Sequence, residues 1–320
     1  MKQATSLKKN RILILGAAGF IGTNLSLRLL AQKKQLVLFD REDAVWQPAV
    51  LEAVRRGQAE LVCGSFAKAG EMGDSLQLSG VNTVYHLVST TCPTNSNQDI
   101  AGEMEDNLIS TIRFLDACVK AGVRKVVFLS SGGTVYGREH TGICREEEEA
   151  FPITSYGVQK LAIEKMLYLY REMYGLDYRV IRLANPYGPY QRPNGVQGVV
   201  TTFTYRALAG LPIQVYGDGS VVRDYIYIDD AVEGILRIAN GQGRYRLYNL
   251  GCGQGHTVRE VIEAIKTVLG CELQVTFQPG RAVDVPVNVL DVSRYEADFG
   301  RLSCISIQAG IQRLVDFYRQ

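Results

Sequence analysis

Over the first 185 residues, short apolar runs alternate with stretches in which apolar positions recur every three or four residues. RILILG (11–16), QLVLFD (35–40), ELVC (60–63), NTVYHLV (82–88), RKVVFLS (124–130) and DYRVIRL (177–183) read as strands. The runs at 11, 35 and 124 are almost continuously apolar or β-branched, as strands covered on both faces are. The segments between them are long enough for helices, and repeated strand–helix–strand units predict an α/β fold with a parallel, doubly wound sheet. Beyond residue 185 the texture changes. NPYGPYQRPNGVQG (185–198) is rich in Pro, Gly and Asn and reads as loop. Val258, Val261, Ile262, Ile265, Val268 and Leu269 then follow helical spacing, as do Ile307, Ile311, Leu314 and Tyr318. The expected organisation is a first domain over 1–185 and a smaller C-terminal α/β lobe over 186–320. The boundary is not one cut, because 222–250, including DYIYIDDAVEGILRIAN (224–240), is expected to return to the first domain.

Composition narrows the classes. The chain has 320 residues, 46% hydrophobic and 21% charged, which is ordinary for a soluble globular protein with a large core. The net charge is +2 with no basic block, which argues against nucleic acid and anionic membranes as partners. No apolar run has the length of a membrane span, and ILIL before the first glycines is too short for a signal-peptide core. Seven scattered cysteines without a CxxC pair point to free thiols in a reducing cytoplasm, and no metal-ligand spacing is present. The acidic run Glu146–Glu149 reads as a solvated loop.

Chemistry enters at two places. GAAGFIG (16–22) puts Gly16, Gly19 and Gly22 between the first strand and a helix. Glycines there permit a tight turn and bring backbone N–H groups, such as those of Phe20 and Ile21, against a pyrophosphate at a positive helix N-terminus. Asp40 ends the second strand 18 residues after Gly22, where a carboxylate binds a ribose diol. It would repel a 2′-phosphate, which favours NAD over NADP, although Arg41 follows it directly. The second place is SYGVQK (155–160), where Tyr156 and Lys160 lie one helical turn apart on one face.

SSGGTVYG (130–137) comes about twenty residues before that pair. With GAAGFIG, YHLVS (85–89), Asn107, IRLANPYGP (181–189), VRDYIYIDD (222–230) and GRAVDVP (280–286), it resembles the extended short-chain dehydrogenase/reductase family. The motifs run in family order over nearly the whole chain, and they are most similar to those of the family's UDP-sugar 4-epimerase branch. The resemblance implies a Rossmann domain binding NAD, a nucleotide-sugar substrate with UDP favoured, and a homodimer formed through helices near 98–121 and 155–173. It also makes Tyr156 the acid–base group. A free Tyr has a pKa near 10, and lowering it by three units takes about 4 kcal/mol, within reach of the Lys160 ammonium together with an oxidised nicotinamide. Lys160 would also hold the nicotinamide ribose. Ser65 and Phe66 would lie beside the adenine, and Leu87, Ser89 and Asn107 would line the cofactor cleft. His86 reads as structural.

This sequence departs from the family where members carry a third hydroxyl on the reacting sugar oxygen. Counting back from VYG, that place is Gly132. Thr134 is the preferred replacement and Ser131 the alternative. The related 4,6-dehydratases and decarboxylases carry acids in this loop, and Gly133 and Thr134 stand there instead. On the substrate side the resemblance assigns Arg223 and Arg281 to the diphosphate, Asp284 to the nucleotide ribose, and Asn185, Val199 and Tyr216 to the remaining contacts. Asn288, four residues after Asp284, is the gate beside the sugar C2 substituent, where a small residue admits an N-acetyl group. The expected function is NAD-dependent NDP-sugar 4-epimerisation through a transient 4-keto sugar. The alternatives are a 4-ketosugar reductase with the same site and an NAD-binding regulatory protein that has lost turnover.

Overall fold

The computed structural model of the chain describes residues 10–68, 78–138, 142–193, 198–280 and 285–320. In chain order its main elements begin with β1 (Arg11–Leu15), α1 (Phe20–Ala31), β2 (Leu36–Asp40), α2 (Pro48–Arg55), β3 (Ala59–Cys63) and β4 (Val81–His86). Then come α3 (Ile100–Met104), a π turn (Glu105–Ile109), α4 (Ser110–Ala121), β5 (Lys125–Ser131), β6 (Ile143–Cys144), α5 (Ser155–Tyr174), β7 (Asp177–Leu183) and β8 (Asn185–Tyr187). The remainder is α6 (Val199–Leu208), β9 (Ile213–Tyr216), β10 (Val222–Tyr227), α7 (Ile228–Asn240), β11 (Leu247–Leu250), β12 (Gly255–Thr257), α8 (Val258–Leu269), β13 (Val275–Gln278), β14 (Val287–Leu290), α9 (Ser293–Phe299) and α10 (Ile307–Tyr318).

Seven strands form one sheet in the order β11-β7-β5-β4-β1-β2-β3. The pairs β1–β2, β1–β4, β2–β3 and β4–β5 are parallel, as the doubly wound expectation requires. Leu13, Ile14 and Leu15 of β1 and Val37 and Leu38 of β2 are wholly buried, which is why these runs read as continuously apolar. From β1 the chain winds outward through β2 to β3, then returns to the other side of β1 as β4. The strand order therefore reverses between β1 and β4, and in open α/β sheets ligands bind beyond the carboxyl ends of strands at such a point.

Two compact units follow from the packing. One comprises Met1–Leu129 and Gln159–Val180, the other Ser130–Val158 and Ile181–Gln320. The first holds the glycine loop and most of the parallel sheet. The second contains a sheet in the order β12-β10-β14-β6, with β8 pairing β10, and a separate β9–β13 pair. Two details differ from the sequence reading. The segment 185–198 opens with a strand, β8, which at three residues is too short for alternation to betray. The acidic run is not simply solvated: Glu146 is buried, and its carboxylate accepts the Asn249 N–H at 2.8 Å and faces Arg294 at 3.7 Å. The predicted helix at 258–269 is closed by a capping box, with Glu260 N–H donating to Thr257 Oγ1 and Thr257 N–H donating to Glu260.

Candidate active site

In the first unit the loop after β1 is anchored before α1 begins. The N–H groups of Gly16 and Ala17 both donate to Phe39 O, at 2.9 and 3.0 Å, and Ala18 N–H donates to Asp40 Oδ2 at 2.8 Å. Gly16 has φ +81°, and a Cβ there would stand 3.1 Å from Val88 N; a Cβ on Gly22 would collide with the Gly16 carbonyl. Gly19 caps α1, so the first-turn N–H groups, including those of Phe20 and Ile21, have no carbonyl one turn earlier. Asp40 Oδ1 accepts Arg41 N–H, while the Arg41 side chain is exposed and turns to Asp43.

Beyond β3 and β4, Ser65 is exposed while Phe66 is buried edge-on to His86, their ring centroids 5.2 Å apart. Leu87 N–H donates to Leu15 O, and Ser89 Oγ donates to Thr91 O. Asn107 lies inside the π turn, accepts Thr90 N–H at 2.8 Å, and donates to Thr90 Oγ1 and Glu103 O. Its side chain thus fixes the loop that starts at Ser89. His86 is enclosed by Phe66, Phe114 and Phe128 and pairs with Thr111 Oγ1. Burial first, and the Lys160 charge second, push its pKa down to about 3, so it stays neutral and serves as core. Lys160 is itself buried. Its Nζ donates to Leu129 O at 3.0 Å and lies over the Phe128 ring, and burial pulls its pKa down to about 8 against the opposing charge of Glu164.

The second unit holds the hydroxyls. α5 starts at Ser155, its first turn capped by Thr154 Oγ1, which accepts Gly157 N–H at 3.1 Å. Gly157 follows Tyr156, and a Cβ on it would lie 2.7 Å from Pro152 Cβ and 3.0 Å from the Thr134 carbonyl. Only a hydrogen fits there, so the turn carrying Tyr156 rests directly on the Thr134 loop. Thr134 Oγ1 is buried with no hydrogen-bond partner among the described residues. Ser131 takes the loop's backbone contacts, its carbonyl accepting the Thr134 and Val135 N–H groups. A side chain at Gly132 would start 2.5 Å from Leu290 Cδ1, so the place of the family's usual hydroxyl is filled by leucine. Tyr136 of the same motif is structural: its hydroxyl donates to Asn249 Oδ1 at 2.7 Å, and burial raises its pKa.

β8, β10 and β14 make the floor under this loop. In register Asn185 faces Tyr225, and Arg223 faces Asn288. Arg223 and Tyr225 are two residues apart, so all four share one face of the sheet. Asn288 Nδ2 donates to Gly132 O at 3.0 Å, and its Oδ1 is buried without a partner among the described residues, as is the Tyr225 hydroxyl. Asn185 Nδ2 donates to Asp224 O. Arg223 Nη1 donates to Val222 O at 2.8 Å and to Val285 O at 2.6 Å. Val199 opens α6, and Tyr216 ends β9 with its ring exposed. Arg281 and Asp284 lie outside the described residues. Tyr225 was not singled out from the sequence, although its place two residues after Arg223 in a strand was the available signal. Among the described residues there is no group of side chains able to hold a metal ion and no helix long and apolar enough to cross a membrane.

Residues 12–251 match the model of the NAD dependent epimerase/dehydratase family. The chain belongs to that family. It is similar to UDP-glucose 4-epimerase of Mycolicibacterium smegmatis, 34% identical over 309 residues that cover 97% of this chain and 98% of that one. It is also similar to dTDP-4-dehydro-6-deoxyglucose reductase of Escherichia coli, 30% identical over 313 residues and 98% of each chain. Among solved structures, Thermus thermophilus UDP-glucose 4-epimerase in complex with NAD matches with a TM-score of 0.86 at 32% identity, over 97% of this chain and 99% of that one.

Membership in an NAD-dependent epimerase/dehydratase family makes NAD the cofactor, and the residues fit it. Gly16 and Gly22 let the loop close on its own backbone and on Val88, which brings the unbonded N–H groups of the α1 N-terminus together where a pyrophosphate would be held. Asp40 is placed for a ribose, with lone pairs left on both oxygens after its two backbone bonds.

Proposed function

We propose that the protein is an NAD-dependent 4-epimerase of UDP-hexoses, working through a 4-keto sugar. The observation that carries this reading is the packing of the Tyr156 turn on the Thr134 loop, with a buried hydroxyl that has no partner among the described residues and no carboxylate at position 133 or 134. A dehydratase or decarboxylase needs an acid there. Bound NAD supplies reversible hydride acceptance at the sugar C4.

Tyr156 removes the 4-hydroxyl proton, and the Lys160 ammonium one helical turn away stabilises the phenolate. Thr134 Oγ1 hydrogen-bonds the reacting oxygen, with Ser131 as the alternative donor. Lys160 holds the nicotinamide ribose, with Asp40 on the adenosine ribose. Arg223 and Arg281 neutralise the diphosphate, Asp284 holds the uridine ribose, and Asn185, Val199 and Tyr216 complete the substrate contacts. The keto sugar turns over, and Tyr156 returns the proton once its other face has been reduced.

Asn288 supports a wider substrate range. It is smaller than the Tyr that closes related sites to acetamides, and its Oδ1, without a partner among the described residues, is an acceptor for an acetamide N–H. UDP-N-acetylglucosamine and UDP-N-acetylgalactosamine are therefore substrates beside UDP-glucose and UDP-galactose, within nucleotide-sugar supply for polysaccharide synthesis. The protein works in the cytoplasm, where its free cysteines stay reduced. It is a homodimer through α3–α4 and α5. Exposed Val158, Leu169 and Met173, recurring along α5, support that face.

The test is to incubate the purified protein with each UDP-sugar and identify the products by chromatography and mass. Interconversion without net NADH consumption is expected, and Asn288→Tyr should lose the acetylated sugars selectively. The similarity to a 4-ketosugar reductase gives the second reading, which stoichiometric consumption of NAD(P)H with no epimer formed would favour.

A further inference from the structure

The first unit contains a buried carboxylate that neither the glycine loop nor the Tyr–Lys pair accounts for. Glu103, on α3, is 7% exposed. It accepts Asn97 N–H at 3.0 Å, Ser96 Oγ–H at 3.1 Å and Gln159 Nε2–H at 3.2 Å. A carboxylate kept from water is costly unless donors replace its hydration, and these donors come from two other parts of the unit. Ser96 and Asn97 end the loop that follows β4. Gln159 is the residue before Lys160 on α5. Asn97 is one of four non-glycine residues with positive φ among the described residues, at +78°, and its N–H is the one Glu103 holds.

Four residues along, Asn107 holds the opposite end of the same loop at Thr90. One helical face thus grips residues 90–97 at both ends. The loop leaves the carboxyl end of β4, at the point where the strand order reverses, and its approach at Val88 touches Gly16. Between the two grips, Thr91 has a buried hydroxyl with no partner among the described residues.

We infer that Glu103 is a positioning residue: its carboxylate holds the 90–97 loop in the shape that walls the nicotinamide crevice and presents Thr91 Oγ1 to the sugar. This rests on the epimerase reading above. Exchanging carboxylate for carboxamide removes the charge that strengthens these bonds and one of the two acceptor oxygens that Asn97, Ser96 and Gln159 share.

The test compares full-length, NAD-loaded wild type with Glu103→Gln and with Ser96→Ala, which removes one donor and leaves the carboxylate. In Glu103→Gln, backbone amides of 90–98 should exchange hydrogen roughly 10-fold faster, with β1, β2 and α1 unchanged. KM for UDP-hexose should rise about 5- to 10-fold with kcat within about 2-fold and NAD content unchanged. Ser96→Ala should move the same amides and KM in the same direction by less. Unchanged exchange at 90–98 in both variants overturns the assignment, as does a fall in kcat with unaltered KM. The exchange measurement needs no turnover. A wild type without epimerase activity therefore sinks the reaction reading separately, while the exchange result still decides the role of Glu103.

Discussion

Thr134→Val is the sharpest probe of the proposed proton relay, because stability and activity should move in opposite directions. Valine keeps the shape of threonine and replaces the hydroxyl by a methyl group. Thr134 Oγ1 is buried and has no hydrogen-bond partner among the described residues. A buried hydroxyl in that condition costs about 1–3 kcal/mol, and a buried methyl contributes about 0.8 kcal/mol. The substitution should therefore leave cofactor-free protein at least as stable, by about 1 kcal/mol, with a Tm roughly 2 °C higher for a chain of this size. Turnover should fall. A hydrogen bond to an oxygen gaining charge is worth about 1.5–3 kcal/mol, which corresponds to about 10- to 150-fold in rate. Thermal unfolding and initial rates of UDP-galactose conversion measure the two effects. A lower Tm with turnover within about twofold of wild type would refute the reasoning, since it would mean an ordinary loop hydroxyl. A larger loss in Ser131→Ala than in Thr134→Ala would move the third hydroxyl to Ser131.

Tyr156→Phe should retain NAD and lose about 10²- to 10⁴-fold in kcat, checked by nucleotide content and single-substrate kinetics. Nucleotide released by denaturing purified protein should be NAD and NADH; mainly NADP would contradict the role of Asp40. Gly22→Ala should abolish NAD retention, because the added Cβ meets the backbone of Gly16 and Ala17, which flexible side chains cannot absorb. Lys160 supplies a pH test on cofactor-free protein. Its folded pKa, lowered to about 8 by burial, lies below its unfolded value near 10.4. Between these values the unfolded chain binds more protons, so this residue makes stability rise with pH. Relative to Lys160→Met, the wild type should be weakest below pH 8 and gain on it up to about pH 10.4, as read from denaturant midpoints.

The parallel strands were legible because strands covered on both faces carry no polar alternation, as Val37 and Leu38 illustrate. The glycine loop was legible because its spacing carries a steric requirement that the structure repeats at Gly16 and Gly22. Other features depend on partners distant in sequence. Glu146 sits in a run of four acids, and nothing local says that Asn249, over a hundred residues on, will offer its N–H. The preference for Thr134 over Ser131 was readable in sequence, but the close approach of Gly157 to the Thr134 carbonyl was not, because Gly157 looks there like any glycine in a helix's first turn. Glu103 likewise reads as a helix-surface acid until Ser96, Asn97 and Gln159 converge on it.

Three successive amides of the glycine loop, at Gly16, Ala17 and Ala18, are already bound to the end of β2. The loop is thus shaped when the chain folds, and dinucleotide binding has little backbone left to order. Preorganisation of this kind lengthens residence time, since letting the ligand go wins back almost no chain entropy. A tenant that leaves slowly suits a catalyst that must hand back, within one cycle, the same hydride it removed.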